Sequence, residues 1–218
     1  MTCSTGIVAF DLDGTLVPNT TVCLHLAPWL GHDGMADLER RYARGEITNV
    51  EVAERDAAFY RGRRRHEVWG QLEQLELIAG LRDTITWIEE RSLVPVVATV
   101  TSTIAADFVR EQYGFAAASG CELGETDDGV LLGTGARHFE PGDKVTFVAD
   151  IAAELGLGLE DVVAVGDSTS DIPLFDAAGF SIALNGSAGA RAAADVQLDT
   201  DDLRDVIPPI ERYFALDA

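Results

Sequence analysis

Basic residues are scarce in this sequence: 16 lysines and arginines stand against 37 aspartates and glutamates, for a formal net charge of −21. Such a charge repels phosphate-rich polymers and anionic lipid surfaces, so we expect neither nucleic acid nor a membrane as a partner. No apolar run has the length of a membrane-spanning helix. The three cysteines, Cys3, Cys23 and Cys121, are odd in number and scattered. They indicate no disulfide framework and no metal knuckle, and they favour a reducing cytoplasm.

Two carboxylates follow the first apolar run. The residues Ile7-Val8-Ala9-Phe10 predict a strand buried on both faces, and Asp11 and Asp13 come next, before Gly14. Side chains two apart on a strand point the same way, so the two carboxylates leave the strand side by side. Like charges this close need a cation between them or a shared proton. The pair indicates a magnesium site, a nucleophile with an acid/base partner, or both.

Three further segments follow in order along the chain. Residues 96–100 predict a second buried strand, which ends at Thr101-Ser102-Thr103. Lys144 begins the helical pattern of residues 143–155, and residues 162–165 predict a third strand that ends in Gly166-Asp167-Ser168-Thr169-Ser170-Asp171. Because ligands of parallel sheets bind beyond the carboxyl ends of the strands, we expect these polar residues to meet in one crevice.

Taken together, these segments resemble the haloacid dehalogenase superfamily of phosphohydrolases, and most closely its phosphoserine-phosphatase-like branch. The resemblance extends from residue 7 to residue 186. It implies that Asp11 is a nucleophile that forms an aspartyl-phosphate, and that Asp13 is the general acid/base, whose backbone carbonyl also contacts the metal. It also implies Mg²⁺ as cofactor, held by Asp11, Asp13, Asp167 and Asp171. The phosphoryl group would be bound by Thr101, Ser102, Lys144 and Ser170.

Each of these residues also has a plainer interpretation. Thr101 could serve as a helix N-cap, as could the acids Asp167 and Asp171, and Lys144 could be a solvated side chain. The sequence departs from near relatives, which usually have Ser-Gly-Gly at Thr101-Ser102-Thr103 and often Asn at Ser170. The amides of Ser102 and Thr103 are further candidate donors to phosphate.

Strands and helices alternate over most of the chain, which predicts an α/β fold with a doubly wound parallel sheet, a Rossmann-like core. Residues 17–83 break the alternation with three helical patterns, at 36–43, 50–60 and 67–77. We therefore predict a helical cap at 17–83, inserted into a catalytic core of residues 1–16 and 84–218. Residues 119–135 predict a small β-hairpin that turns at Asp127-Asp128-Gly129.

The predicted substrate is a small phosphorylated metabolite, and the reaction is hydrolysis of a phosphomonoester. Phosphoserine phosphatases carry a Glu shortly after the first motif, where this chain has Pro18-Asn19-Thr20-Thr21. Arg55 lies close to where those enzymes have an Arg that binds the substrate carboxylate. Thr20 and Arg55 are thus candidate substrate residues, although L-phosphoserine itself is disfavoured.

Several points stay open at the level of the sequence. The basic cluster of residues 61–65 could bind a second anionic group or form internal ion pairs. A phosphotransferase that uses the same aspartyl-phosphate and a non-catalytic phosphate-binding module are the alternative functions. The sequence does not indicate an oligomeric state.

Overall fold

A six-stranded parallel sheet forms the centre of the computed structural model, which describes residues 4–216. The strands are β1 (Gly6–Phe10), β2 (Leu93–Val97), β3 (Ala117–Ala118), β6 (Val162–Gly166), β7 (Phe180–Leu184) and β8 (Val196–Leu198), in the order β3-β2-β1-β6-β7-β8. A separate antiparallel pair consists of β4 (Glu122–Glu125) and β5 (Leu131–Arg137). The predicted doubly wound α/β fold with a small hairpin is confirmed.

Helices cover both faces of the sheet, and β1 shows why. Its alternate residues Val8 and Phe10 belong to one buried cluster, whereas Ile7 and Ala9 belong to another. The first cluster includes residues of α5 (Leu81–Glu90), α6 (Thr103–Tyr113) and α10 (Ile207–Phe214). The second includes residues of α7 (Asp143–Leu155), α8 (Ile172–Ala177) and α9 (Ala188–Ala193). A continuous apolar run is what a strand covered on both faces requires.

Four helices lie between β1 and α5: α1 (Val22–Leu30), α2 (Met35–Ala43), α3 (Asn49–Phe59) and α4 (Arg65–Leu72). They fall inside the predicted insertion 17–83, and we propose that they form the cap. Helix α1 was not predicted, although Thr21 caps it by accepting a hydrogen bond from the Leu24 amide at 3.1 Å. Helix α4 ends at Leu72, five residues before the predicted end.

The basic cluster connects the cap helices with the hairpin. Arg65 Nη2 donates to Glu125 Oε2 at 2.6 Å, and Arg64 Nη1 donates to the Asp128 carbonyl at 3.1 Å. The guanidinium of Arg63 lies over the Trp29 ring, 4.5 Å from its centroid. Through these contacts the cluster binds other residues of the protein. Of its two predicted roles, this fits internal ion pairing and not the binding of a second anionic group.

The second strand differs from its prediction. It spans Leu93–Val97 rather than 96–100. The last hydrogen bond between this segment and β1 is donated by the Ala98 amide to the Phe10 carbonyl, at 2.8 Å. The chain then turns through Thr99, whose Oγ1 accepts from the Thr101 amide at 3.2 Å. Thr101 therefore still lies beyond the carboxyl end of the strand.

Two predictions from composition concern cysteines and membranes. Cys3 lies outside the described residues, and Cys23 and Cys121 are not joined by a disulfide. Within residues 4–216, none of the helices combines the length and the apolar character that crossing a bilayer requires.

Candidate active site

The carboxyl edge of the sheet and the cap helices enclose one cavity of about 660 Å³. Asp11 follows β1, Thr101 follows β2 and Asp167 follows β6, so three strand ends converge on it. The predicted site residues that line the cavity are Asp11, Asp13, Thr20, Thr101, Ser102, Asp167 and Ser170. Lys144 and Asp171 lie directly behind this wall, in hydrogen-bond contact with it.

Lys144 is fully buried in the first turn of α7, and its Nζ has three hydrogen-bond acceptors. It donates to Asp11 Oδ1 at 2.8 Å, to Asp171 Oδ1 at 2.6 Å and to Ser170 Oγ at 3.3 Å. Burial opposes the ammonium charge, but the charges of Asp11 and Asp171 outweigh it and raise the pKa of Lys144. Lys144 is therefore a buried cation held between two carboxylates, not a solvated lysine.

Asp171 positions its neighbours. Its Oδ2 accepts hydrogen bonds from the backbone amides of Asp167 at 3.0 Å and Ser168 at 2.9 Å, while its Oδ1 accepts from Lys144. One carboxylate thus fixes both the turn that carries Asp167 and the orientation of the lysine. The alternative prediction, an acid that caps a helix, accounts only for the hydrogen bonds of Oδ2. The bond of Oδ1 to Lys144 is not part of a cap.

Three carboxylates gather where the metal site was predicted. One oxygen each from Asp11, Asp167 and Asp171 lies within 4.8 Å of the others. Burial and the neighbouring charges of Asp11 and Asp171 raise the pKa of Asp167 to about 8, and burial together with Asp171 raises the pKa of Asp11. Lys144 alone does not balance this negative charge. A hard divalent cation with oxygen ligands fits such a donor set.

Asp13 is separate from that group, because its side chain turns toward the cap. Its Oδ1 accepts a hydrogen bond from the Val22 amide at 2.7 Å, at the start of α1. Burial raises the pKa of Asp13 to about 6; the Val22 amide opposes the rise and the charge of Glu39 adds to it. A carboxyl group with such a pKa can both donate and accept a proton near neutral pH.

Thr101 Oγ1 is buried and has no partner in good hydrogen-bond geometry. A buried hydroxyl without a partner is unfavourable, so this oxygen is available to a ligand in the cavity. The Thr103 amide, in contrast, donates to the Cys121 carbonyl at 2.9 Å, which overturns its prediction as a free phosphate donor. Ser102 borders the cavity and precedes α6 without capping it through its side chain.

Gly14 allows the tight turn that directly follows Asp13. Its φ of 81° lies in the left-handed region, and a Cβ here would collide with the Asp167 carboxylate. Thr15 then donates to Asp167 Oδ1 at 3.3 Å. The first motif therefore also supports the carboxylate that follows β6.

Arg55 does not reach the cavity: its side chain is exposed on α3. The next residue, Asp56, does line the cavity, as does Glu39 of α2. Neither acid was predicted from the sequence. The signal was present for Asp56, because it falls on the helical face that α3 buries, among Val52, Ala53, Ala57 and Tyr60, where an acid is unexpected.

The family model described as haloacid dehalogenase-like hydrolase matches residues 8–176. The chain belongs to this family. The matched span contains the polar segments after β1, β2 and β6 and the lysine of α7, so the resemblance inferred from those segments is confirmed.

Its relatives support the phosphoserine-phosphatase-like branch. A phosphoserine phosphatase of Mycobacterium tuberculosis is 32% identical over 197 residues, which are 88% of this chain and 47% of the relative. A phosphoserine phosphatase of Methanocaldococcus jannaschii is 26% identical over 207 residues, which are 94% of this chain and 97% of the relative. The chain thus spans about half the length of the first of these relatives and nearly all of the second.

Among solved structures, the chain resembles a phosphoserine phosphatase described as a phospho-aspartyl intermediate analogue. The TM-score is 0.84 at 24% sequence identity, covering 95% of this chain and 99% of the other. The similarity establishes that the two proteins share a fold.

Proposed function

We propose that this protein is a magnesium-dependent phosphatase that hydrolyses a small phosphomonoester through an aspartyl-phosphate. The observation that carries the proposal is the contact of Lys144 with Asp11: a buried ammonium 2.8 Å from a carboxylate that borders the cavity, with Asp13 two residues on. Phosphoserine phosphatases among the relatives support the same reaction class.

The protein's own groups suit the two steps of such a reaction. Lys144 fixes Oδ1 of Asp11, which leaves Oδ2 to attack phosphorus in line with the leaving oxygen. Asp13 donates a proton to the ester oxygen as it leaves phosphorus, which releases the alcohol, and then removes a proton from the water that cleaves the acyl-phosphate. Thr101 Oγ1, which no protein group bonds in good geometry, donates to a phosphoryl oxygen.

A divalent cation at Asp11 and Asp167, beside Asp171, would supply positive charge to offset that of the phosphoryl oxygens. Mg²⁺ is our choice because it prefers oxygen ligands and binds through few carboxylates together with substrate phosphate. Lys144 supplies the protein's own part of this charge balance.

Phosphate release from p-nitrophenyl phosphate tests the proposal, measured with Mg²⁺ and with a chelator. The wild-type protein should release phosphate only with the metal. Asp11→Asn should abolish release, because the amide cannot form the acyl-phosphate, and it should keep the wild-type circular dichroism spectrum. Asp33→Asn is the matched control, since Asp33 is exposed and lies outside the cavity lining.

Release by Asp11→Asn at the wild-type rate would refute the nucleophile. If wild-type protein binds Mg²⁺ but releases phosphate from neither this ester nor a panel of phosphorylated metabolites, the chain is a binding module and not an enzyme.

A further inference from the structure

The cavity is lined by acids and by no basic side chain. Within the described part of the chain, six carboxylate residues border it and none of the lining residues is Lys, Arg or His: Asp11, Asp13, Glu39, Asp56, Asp167 and Asp201. Asp11, Asp13 and Asp167 belong to the phosphoryl end. Glu39 and Asp56 come from cap helices, where the leaving group of a bound ester would lie. The proposed chemistry does not use these two acids.

Asp56 is the more unusual of the two. Only 6% of its surface is exposed, and its Oδ1 is buried with no hydrogen-bond partner. Burial, together with the charges of Asp13 and Glu39, raises the pKa of Asp56 to about 7, even though a hydrogen bond from the Cys23 thiol lowers it. A buried carboxylate oxygen without a donor is costly unless a ligand provides one.

Glu39 lies next to the acid/base candidate. It accepts a hydrogen bond from Thr21 Oγ1, and the adjacent Val22 amide donates to Asp13 Oδ1. Asp13, Glu39 and Asp56 border the same cavity, and the charge of Glu39 raises the pKa of both other carboxyl groups. Two cap carboxylates around one space suit a group that carries several N–H donors and a positive charge.

The apolar part of the cap wall is small and is formed by Leu24, Val52 and Ala53. The polar side chains beside it, which include Asn19, Thr20 and Tyr42, are uncharged. Such a wall fits a short alkyl chain but offers no cation to a second anion. Arg55, the nearest arginine in the sequence, is exposed and outside the lining. A carboxylate on the leaving group would therefore meet Glu39 and Asp56 without a compensating cation.

We propose that Asp56 and Glu39 form an ammonium-binding subsite, and that the substrate is the phosphomonoester of an amino alcohol that carries no carboxylate. This inference rests on the proposed phosphatase function. It names the substrate class of that same cavity, and it separates this chain from an enzyme for phosphoserine.

Four phosphate esters whose leaving groups differ in charge test the subsite. The leaving group of O-phosphoethanolamine carries an ammonium, and that of 2-hydroxyethyl phosphate has an uncharged hydroxyl in its place. L-Phosphoserine carries an ammonium and a carboxylate, and phosphoglycolate carries a carboxylate alone. We expect kcat/KM for O-phosphoethanolamine to exceed that for each of the others by roughly tenfold or more, as charge-assisted hydrogen bonds predict. p-Nitrophenyl phosphate reports the phosphatase activity independently.

Isosteric substitutions assign the preference to the two acids. In Asp56→Asn and in Glu39→Gln, the ratio of kcat/KM for O-phosphoethanolamine to that for 2-hydroxyethyl phosphate should fall toward one. Arg55→Gln is the matched control on the same helix, and its ratios should equal those of the wild type. Because all substrates are measured on one protein, a variant that is partly unfolded lowers every rate but leaves its ratios interpretable.

The outcomes separate the two proposals. Hydrolysis of p-nitrophenyl phosphate without preference for the ammonium ester would overturn the subsite and leave the phosphatase intact. A preference for L-phosphoserine that disappears in Arg55→Gln would likewise overturn it, since a cation would then bind the carboxylate. Hydrolysis of neither p-nitrophenyl phosphate nor any of the four esters would refute the proposed function, and the substrate class with it.

Discussion

Asp56→Asn should flatten the dependence of folding stability on pH. The carboxyl group of Asp56 is buried, and its pKa rises from 3.8 to about 7 because of burial and the charges of Asp13 and Glu39. The groups that face it are Cys23, Asp13 and Glu39, with Tyr60 on its own helix. The folded state thus holds this proton more tightly than the unfolded state does.

The sign follows from proton linkage. Where the folded state binds more protons, the free energy of unfolding decreases as pH rises, here across the interval from about 4 to about 7. With 1.36 kcal/mol per pKa unit, the titration of Asp56 should lower the free energy of unfolding of the wild type by about 2 to 3 kcal/mol between pH 5 and pH 8. The asparagine does not titrate, so the variant should lack this loss. Any penalty for burying an amide applies equally at both pH values.

Urea unfolding at the two pH values, with a chelator present, measures the difference. Asp11, Asp13 and Asp167 also have raised pKa values and contribute in both proteins, so the comparison between wild type and variant isolates Asp56. Asp33→Asn, which removes an exposed carboxylate, serves as control. If the variant loses as much stability as the wild type between pH 5 and pH 8, Asp56 is not held in a desolvated, negatively charged environment and the reasoning fails.

Three further substitutions probe the site. Lys144→Met should lower the free energy of unfolding by about 3 to 5 kcal/mol in urea and abolish turnover, because two buried carboxylates lose their cation; wild-type stability would contradict this. Thr101→Val should lower kcat about a hundredfold with little change in the free energy of unfolding, since no protein group bonds the hydroxyl in good geometry; a loss of stability of several kcal/mol would instead mark the hydroxyl as structural. Gly14→Ala should lower both thermal stability and activity, because the positive φ and the adjacent carboxylate leave no room for a methyl group; a variant with unchanged Tm and turnover would show that the turn tolerates it.

The chemical centre was predictable because its residues follow strand ends. Apolar runs specify buried strands, and parallel strands bring their carboxyl ends to one edge, so Asp11, Thr101 and Asp167 could be placed together before the structure was known. The exact limits were less predictable: β2 ends at Val97 rather than at residue 100, because its last partner is the Phe10 carbonyl. Register against a neighbouring strand is a tertiary property.

The cap was harder to predict than the sheet. Helix α1 contains Pro28 and few charged residues, so its sequence carries little of the amphipathic pattern that marks a surface helix. The side of α3 that faces the cavity depends on how the helix packs against the hairpin. That packing exposes Arg55 and buries Asp56, which reverses the charge expected for the substrate site.

By itself, the sequence determined the fold class, the haloacid dehalogenase-like hydrolase family and the set of polar residues at the strand ends, because strand periodicity and motif order are local properties of the chain. Only the tertiary structure decided that Lys144 contacts two carboxylates at once, that Asp171 uses both oxygens for positioning, and that the cap contributes acids to the cavity. These depend on distances between segments far apart in the chain. Charge and burial at such a meeting point arise from packing, which no single segment encodes.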